Sequence, residues 1–375
     1  MTEVSKQLRV MVLGLRGVPD VQGGIETHAR NLYPLIARLG CEVEVIQRSP
    51  YFSARRRPKR WHGVRLTYIW SPTLPGVETA LHTLIGVVYA AIRRPDVLHL
   101  HAIGPGFLAP LARLFGLKVV VTHHALDYTR EKWGWLAKFV LRTGEYLGSK
   151  FANEVIAVSQ VLADHVTTEY GVAAHFIPNG VPIPLRTDSS ETLEQFGLTR
   201  SRFVLCVARI EPTKRQLNLI QAFSDADTQD WKLVIVGAPD EKDRYTRDVM
   251  ELAGHDEDVI LTGFQTGKPL RELFSNAGLF VLPSSMEGHP IALLEALSYG
   301  IPVLASAIPA NLAITLPSSR FFEVGDIAKL KALLEAAVTG DDTHHDWETI
   351  RREAREAFNW KNGARQTHAI YQRLI

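Results

Sequence analysis

Leu279–Ser306 reads LFVLPSSMEGHPIALLEALSYGIPVLAS, and it holds one complete step of a repeating architecture. LFVLPS (Leu279–Ser284) and PVLAS (Pro302–Ser306) are short, apolar, branched runs of strand length. Between them IALLEALSYG is apolar in a helical pattern, with Pro290 placed as the first helical residue and Gly300 as the stop. Strand, helix and strand joined by short loops make a βαβ unit, with parallel strands covered on both faces. Two carboxylates, Glu287 and Glu295, sit eight positions apart in this apolar passage. On one helix that spacing would leave ~80° between them. Glu287 and Gly288 instead belong to the loop that follows a strand, and Glu295 to the helix.

The same alternation extends outward in both directions. In the second half the runs are Phe203–Arg209, Trp231–Gly237 and Val259–Phe264. In the first half they are Leu8–Gly14, Glu42–Arg48, Val64–Trp70, Asp96–Ala102, Lys118–His124 and Glu154–Ser159. Helical stretches lie between most of them, such as ETHARNLYPLIARLG, which Pro34 interrupts and Gly40 ends. The α/β pattern predicts two doubly wound, Rossmann-like parallel-sheet domains, residues 1–184 and 185–357. The join is the Pro- and Ser-rich Val181–Leu193. The final stretch FNWKNGARQTHAIYQRLI, residues 358–375, reads as an amphipathic helix after Trp360. A chain of 375 residues suits two such domains.

Composition narrows the class further. The net charge of +2 gives no global field for nucleic acid. Cys41 and Cys206, far apart and both assigned to strands, read as core residues of a reducing compartment. The first residues carry neither an apolar signal region nor a cleavage site, and Ala80–Ile92 is too short to span a bilayer, which needs ~20 residues. A cytoplasmic protein is expected.

Ligands of open parallel sheets bind beyond the carboxyl ends of the strands, so those ends are the places to look for chemistry. After the first strand come Gly14, Gly17, Gly23 and Gly24 and then a helix start, either turn glycines or a backbone cradle for an anion. The spacing lacks G-x-G-x-x-G. After Phe203–Arg209, Arg209 and Lys214 lie five positions apart at a helix start; they are surface cations or a diphosphate site. His123 and His124 end one strand and alternation sends them to opposite faces, while His99 and His101 share a face. None of these pairs has i, i+4 ligand spacing and no Cys lies nearby, so no metal is expected. Asn179-Gly180 is a turn or a close-approach loop where the chain leaves the first domain.

The segments GGIET, VVVTHHALD, IAVSQ, IPNGV, VARIEPTKRQLNLIQAF and SSMEGHPIALLEALSYGIPVLAS, in this order, resemble the retaining family-4 glycosyltransferases. The resemblance covers nearly the whole chain and implies the GT-B fold, two facing Rossmann-like domains with the last helix crossing back to the first. It implies a nucleotide-diphosphate sugar donor on the C-terminal half of the cleft. Arg209 and Lys214 would neutralise the diphosphate, Glu287 would contact the sugar, and Gly288, His289, Pro290 and Ile291 would line sugar or phosphate. Glu295 would hold the ribose, Gly23 and Gly24 would line the cleft opposite the diphosphate, and His124 would lie near the anomeric carbon. Two positions depart from the family pattern. His289 stands where Phe or Leu often follows EG, and Lys214-Arg215 replaces the usual KG. The stretch from Gly14 through the KWG at Lys132–Gly134 is also similar to a subgroup of bacterial capsule and exopolysaccharide assembly that includes rhamnosyltransferases.

Cation-assisted departure of a nucleoside diphosphate needs no metal or other cofactor. Asp225–Asp227, DAD, ends a helix rather than a strand and is not the metal motif of other transferases. The acceptor is expected to be a glycan or lipid-diphosphate-linked, in cell-surface polysaccharide synthesis. Arg55, Arg56, Arg57, Lys59 and Arg60 form either a solvated loop or a dock for an anionic membrane on the acceptor side. Two rivals use the same fold: a sugar-nucleotide epimerase and a non-catalytic nucleotide-sugar-binding protein. The intact Arg209, Lys214, Glu287 and Glu295 argue against the second.

Overall fold

A computed structural model describes residues 7–53, 57–74, 76–130, 133–181, 184–239, 243–340 and 345–375. Arg55 and Arg56 of the basic run, and Pro182 and Ile183 of the expected linker, lie outside the described residues. The chain divides into two compact units: Met1–Asn179 with Trp360–Ile375, and Gly180–Asn359.

Unit 1 contains β1 (Arg9–Leu13), α1 (Gly24–Arg38), β2 (Glu42–Arg48), β3 (Arg60–Trp61), β4 (Val64–Ile69), α2 (Val77–Arg93) and β5 (Val97–His101). It continues with α3 (Ile103–Gly106), α4 (Ala109–Leu114), β6 (Val119–His123), α5 (Trp135–Phe151), β7 (Glu154–Ala157), α6 (Gln160–Tyr170) and β8 (Ala174–Phe176). Its sheet has the order β3-β4-β2-β1-β5-β6-β7-β8. Every pairing is parallel except β3 with β4. Every residue of β5 and β6 is buried, as branched strands covered on both faces must be.

Unit 2 contains α7 (Glu191–Gln195), β9 (Phe203–Val207), α8 (Gln216–Ser224), β10 (Lys232–Val236), α9 (Arg244–Ala253), β11 (Val259–Gly263), α10 (Gly267–Asn276) and β12 (Leu279–Leu282). Then come α11 (Ile291–Tyr299), β13 (Val303–Ser306), α12 (Pro309–Leu312), β14 (Phe321–Phe322), α13 (Ile327–Thr339) and α14 (Trp347–Ala357). Its parallel sheet has the order β11-β10-β9-β12-β13-β14. The last helix, α15 (Trp360–Arg373), belongs to unit 1 and packs on α1.

In each sheet the winding direction reverses once, between β1 and β5 in unit 1 and between β9 and β12 in unit 2. A crevice opens at such a point because the two flanking crossovers go to opposite faces. The loops after β1 and β5, and after β9 and β12, are therefore the ones that a ligand of each unit would meet first.

Four details differ from the sequence reading. The expected linker ends inside α7, where Leu193 is buried and Glu272 accepts hydrogen bonds from the Thr192 N–H at 2.8 Å and the Thr192 hydroxyl at 3.0 Å. Pro290 is the cap rather than the first residue of α11. Cys41 precedes β2 instead of lying in it; it and Cys206 are buried, free thiols. α1 runs through Pro34 unbroken from Gly24 to Arg38.

Candidate active site

The crevice of unit 2 is built by two loops tied together. The Ser285 N–H donates to the Thr213 carbonyl at 2.8 Å, and the Ser285 hydroxyl to the same oxygen at 3.3 Å. At the end of β9 the backbone of β10 comes so close that a Cβ on Gly237 would lie 2.1 Å from the Ala208 carbonyl oxygen. Arg209 follows. Its guanidinium donates to Glu211 Oε1 at 3.3 Å, which also accepts from the Thr213 hydroxyl at 3.0 Å. Lys214 closes a single 3-10 turn, and its Nζ meets Glu287 Oε1 at 2.7 Å. Both side chains are largely withdrawn from water, at 15% and 13% exposed. The two groups expected to meet different parts of one ligand are thus paired with each other.

Arg215 caps α8 in the left-handed region, φ 53° and ψ 35°. His289 is buried with its ring edge-on to Phe358, centroids 5.2 Å apart. It fills an aromatic packing position next to the strand-like pairing of Val181 with Asn359. Glu295 lies half-buried in the second turn of α11.

In unit 1 the loop after β1 leads into α1 through Gly23 and Gly24. The Glu26 carboxylate folds back, and its Oε1 accepts the Arg16 N–H at 2.9 Å. A Cβ on Gly23 would lie 1.8 Å from Glu26 Oε2, whereas one on Gly24 would meet open space. Beside them runs a histidine network. His124 Nε2 and His101 Nδ1 are 2.8 Å apart, and His101 Nε2 bonds the Tyr33 hydroxyl. The Tyr33 hydroxyl also lies 3.1 Å from His99 Nδ1, which meets the Tyr371 hydroxyl of α15 at 2.6 Å. His99 Nε2 reaches Thr122 Oγ1 at 2.7 Å, and His28 Nδ1 reaches Asn179 Oδ1 at 2.7 Å. Burial pushes His28 down to about 4 and His99 to about 3. Burial first, then repulsion among neighbouring imidazoles, holds His101 and His124 well below the ordinary range. The cluster is uncharged at neutral pH.

Residues 22–183 match the family described as Glycosyltransferase Family 4, and residues 188–354 match Glycosyl transferases group 1. The chain is a family-4 glycosyltransferase with the GT-B fold. It is similar to alpha-maltose-1-phosphate synthase of Mycobacterium tuberculosis, at 27% identity over 98% of this chain and 100% of the relative. Among solved structures, sucrose-phosphate synthase of Thermosynechococcus elongatus matches with TM-score 0.82 and 20% identity, covering 98% of this chain and 99% of that one. Anabaena HepE, solved in complex with UDP-glucose, matches with TM-score 0.77 and 18% identity over 98% and 100%.

In this glycosyltransferase, Arg209, Lys214, Glu287, Gly288, His289, Pro290, Ile291 and Glu295 all fall in unit 2, and Gly23, Gly24 and His124 in unit 1. Sequence reasoning missed Glu211, which steadies Arg209, and Glu26 and His28. Glu26 had a signal, an acid three residues after Gly23, the cap position of α1. His28, His101 and His124 have ring nitrogens within 4.8 Å of one another, and His28 Nε2 is buried without a hydrogen-bond partner, so among the described residues these three are a group able to hold a transition-metal ion. Of the basic run, the Arg57 guanidinium bonds the Ser49 and Phe52 carbonyls at 3.0 and 3.2 Å, Lys59 is exposed, and Arg60 sits in the edge strand β3.

Proposed function

We propose that this glycosyltransferase moves a sugar from a nucleotide-diphosphate sugar, with retention of anomeric configuration, to a lipid-linked or growing glycan of a cell-surface polysaccharide. The observation that carries the reading is the gathering of Arg209, Lys214 and Glu287 on the two tied loops at the switch point of unit 2. As the bond from the anomeric carbon to the diphosphate oxygen breaks, negative charge grows on the leaving group. Two preplaced cations stabilise that charge most in the transition state. An incoming diphosphate competes with Glu287 for Lys214, and Glu287 is then released to accept hydrogen bonds from sugar hydroxyls. N–H groups around Gly288 and Ile291 take phosphate or sugar oxygens, and Glu295 takes the ribose. The acceptor oxygen attacks the anomeric carbon on the face the diphosphate leaves, and its proton passes to a leaving-phosphate oxygen. No enzymic nucleophile and no metal take part. Gly23, Gly24 and His124 are unit 1's proposed contribution. The proposed setting is the cytoplasmic face of a membrane.

The test is a panel of UDP-, GDP- and dTDP-sugars, with and without a lipid-linked acceptor extract, read by product anomer. Donor isomerised without acceptor would establish an epimerase, and binding without turnover a silent protein. Lys214→Ala is expected to fold and to lose turnover roughly 100- to 1000-fold, the scale for removing one transition-state charge partner. Full activity in that variant would refute the diphosphate role. EDTA is expected to leave the rate unchanged; a loss restored by zinc would assign a metal to the histidine cluster.

A further inference from the structure

The outer surface of unit 1 over α2, α3, α4 and α5 has the composition of a lipid-facing surface. α2 is apolar on both sides for a surface helix, since it buries Val87 and Ala90 in the core and still exposes a row of large apolar residues. Its Glu78, His82 and Thr83 are buried, with Glu78 paired to Arg48 and accepting from the Tyr51 hydroxyl at 2.9 Å. Its exposed side carries Val77, Leu84, Ile85, Val88 and Ile92, the last at 75% exposure. α2 packs on α3 and α4, and these pack on α5. Leu114 at the end of α4 is 80% exposed. α5 opens with Trp135 at 81% and Phe139 at 63% exposure, one helical turn apart, and Leu136 and Val140 extend the same strip. Large exposed apolar side chains gathered on helices that pack on one another are not ordinary scatter.

The charges on these helices decide what covers it. α2, α3, α4 and α5 carry two acidic residues, Glu78 and Glu145, and both are buried. The remaining charges, Arg93, Arg113, Lys138, Arg142 and Lys150, are all cationic. Trp, Phe and Leu with a fringe of Lys and Arg are the residues of a helix lying in a headgroup region, where rings enter the acyl boundary and cations meet lipid phosphates. A second copy of the chain fits less well, because two-fold pairing would set the same cationic patch against itself.

We propose that this face docks unit 1 on an anionic bilayer, as a surface attachment and not a span. Among the described residues no helix is long and apolar enough to cross a membrane. The proposal shifts the docking surface away from the basic run, whose Arg57 is committed to carbonyls of its own unit. It goes beyond the transferase reading, since it concerns a surface and stands for any acceptor.

Flotation of the full chain with vesicles of phosphatidylglycerol and phosphatidylethanolamine, against phosphatidylcholine alone, tests it. Wild type is expected to float with the anionic vesicles and at least tenfold less with the neutral ones. The pair Trp135→Ser with Phe139→Ser, and separately Leu84→Ser with Val88→Ser, are expected to lower flotation at least tenfold with unchanged thermal midpoints. Arg93→Glu with Lys150→Glu is a second route that leaves the apolar strip intact, and it should lower anionic binding alone. Lys59→Ala with Arg60→Ala should retain most of it. Failure of wild type to float, binding untouched by these substitutions, or a dimer in sedimentation that the serine variants dissolve would each overturn the proposal. Turnover of soluble donor measured on the same preparations keeps that failure distinct from failure of the transferase reading.

Discussion

Arg215 shows how a departure from a family pattern keeps the backbone it departs from. The family usually has glycine after the phosphate lysine; this chain has Arg215, and its φ of 53° is the left-handed value that glycine adopts without cost. An L-residue there pays roughly 1–2 kcal/mol. The turn that sets Lys214 beside Glu287 therefore survives, with a guanidinium added near Tyr245, whose hydroxyl accepts the Leu217 N–H at 3.3 Å. Two substitutions that both remove the guanidinium isolate the backbone. Arg215→Gly is expected to be more stable than Arg215→Ala by about 1 kcal/mol, the reverse of their order in an ordinary helix. Denaturant midpoints check it, and Ala equal to or above Gly would mean that the turn does not need the left-handed conformation. His289 is the second such residue. Sequence gave it no partner, because Phe358 lies far along the chain.

At the scale of elements, strands were legible wherever several branched residues run together, as in β5, β6 and β9, because parallel strands are buried on both faces. β3 and β14, of two residues each, hold no period to read. The positions after β9 and β12 were legible as a candidate site from Arg209, Lys214 and Glu287, while the pairing of Lys214 with Glu287 depends on how two distant loops are tied, which no local pattern encodes. The start of α1 shows the same limit. The two glycines of GGIET look alike in sequence, yet only Gly23 is pressed against the Glu26 carboxylate. Gly23→Ala must displace Glu26 and strand the Arg16 N–H, at a cost of about 1–3 kcal/mol. Gly24→Ala points its methyl into open space and is expected to change stability by less than about 0.5 kcal/mol. Chemical denaturation separates them, and equal losses would remove Glu26 as the reason for Gly23.

Across the whole molecule, those of the described histidines that are driven strongly down in pKa, His28, His82, His99, His101 and His124, all lie in unit 1. Burial is the first cause for each; His28 and His82 fall to about 4 and His99 to about 3. In the unfolded chain the same groups take up protons near their ordinary value of about 6.5. Below that pH the unfolded state binds more protons than the folded state, so stability rises with pH through this window. The contribution of neutral burial is complete above about 6.5 and is lost progressively as pH falls toward about 4. Protonating one ring of the cluster also sets a cation against its neighbours, so the loss in unit 1 is expected to be cooperative. The denaturation midpoint should hold level from pH 8 to 7 and drop steeply from 6 to 4.5. Hydrogen exchange at pH 5 should then show β1, β5 and α15 opening before β9 and β12. Because α15 supplies Tyr371 to His99, its release marks the break of the network itself. A level profile down to pH 4.5, or opening that begins in unit 2, would show that the cluster does not set the acid limit of the fold.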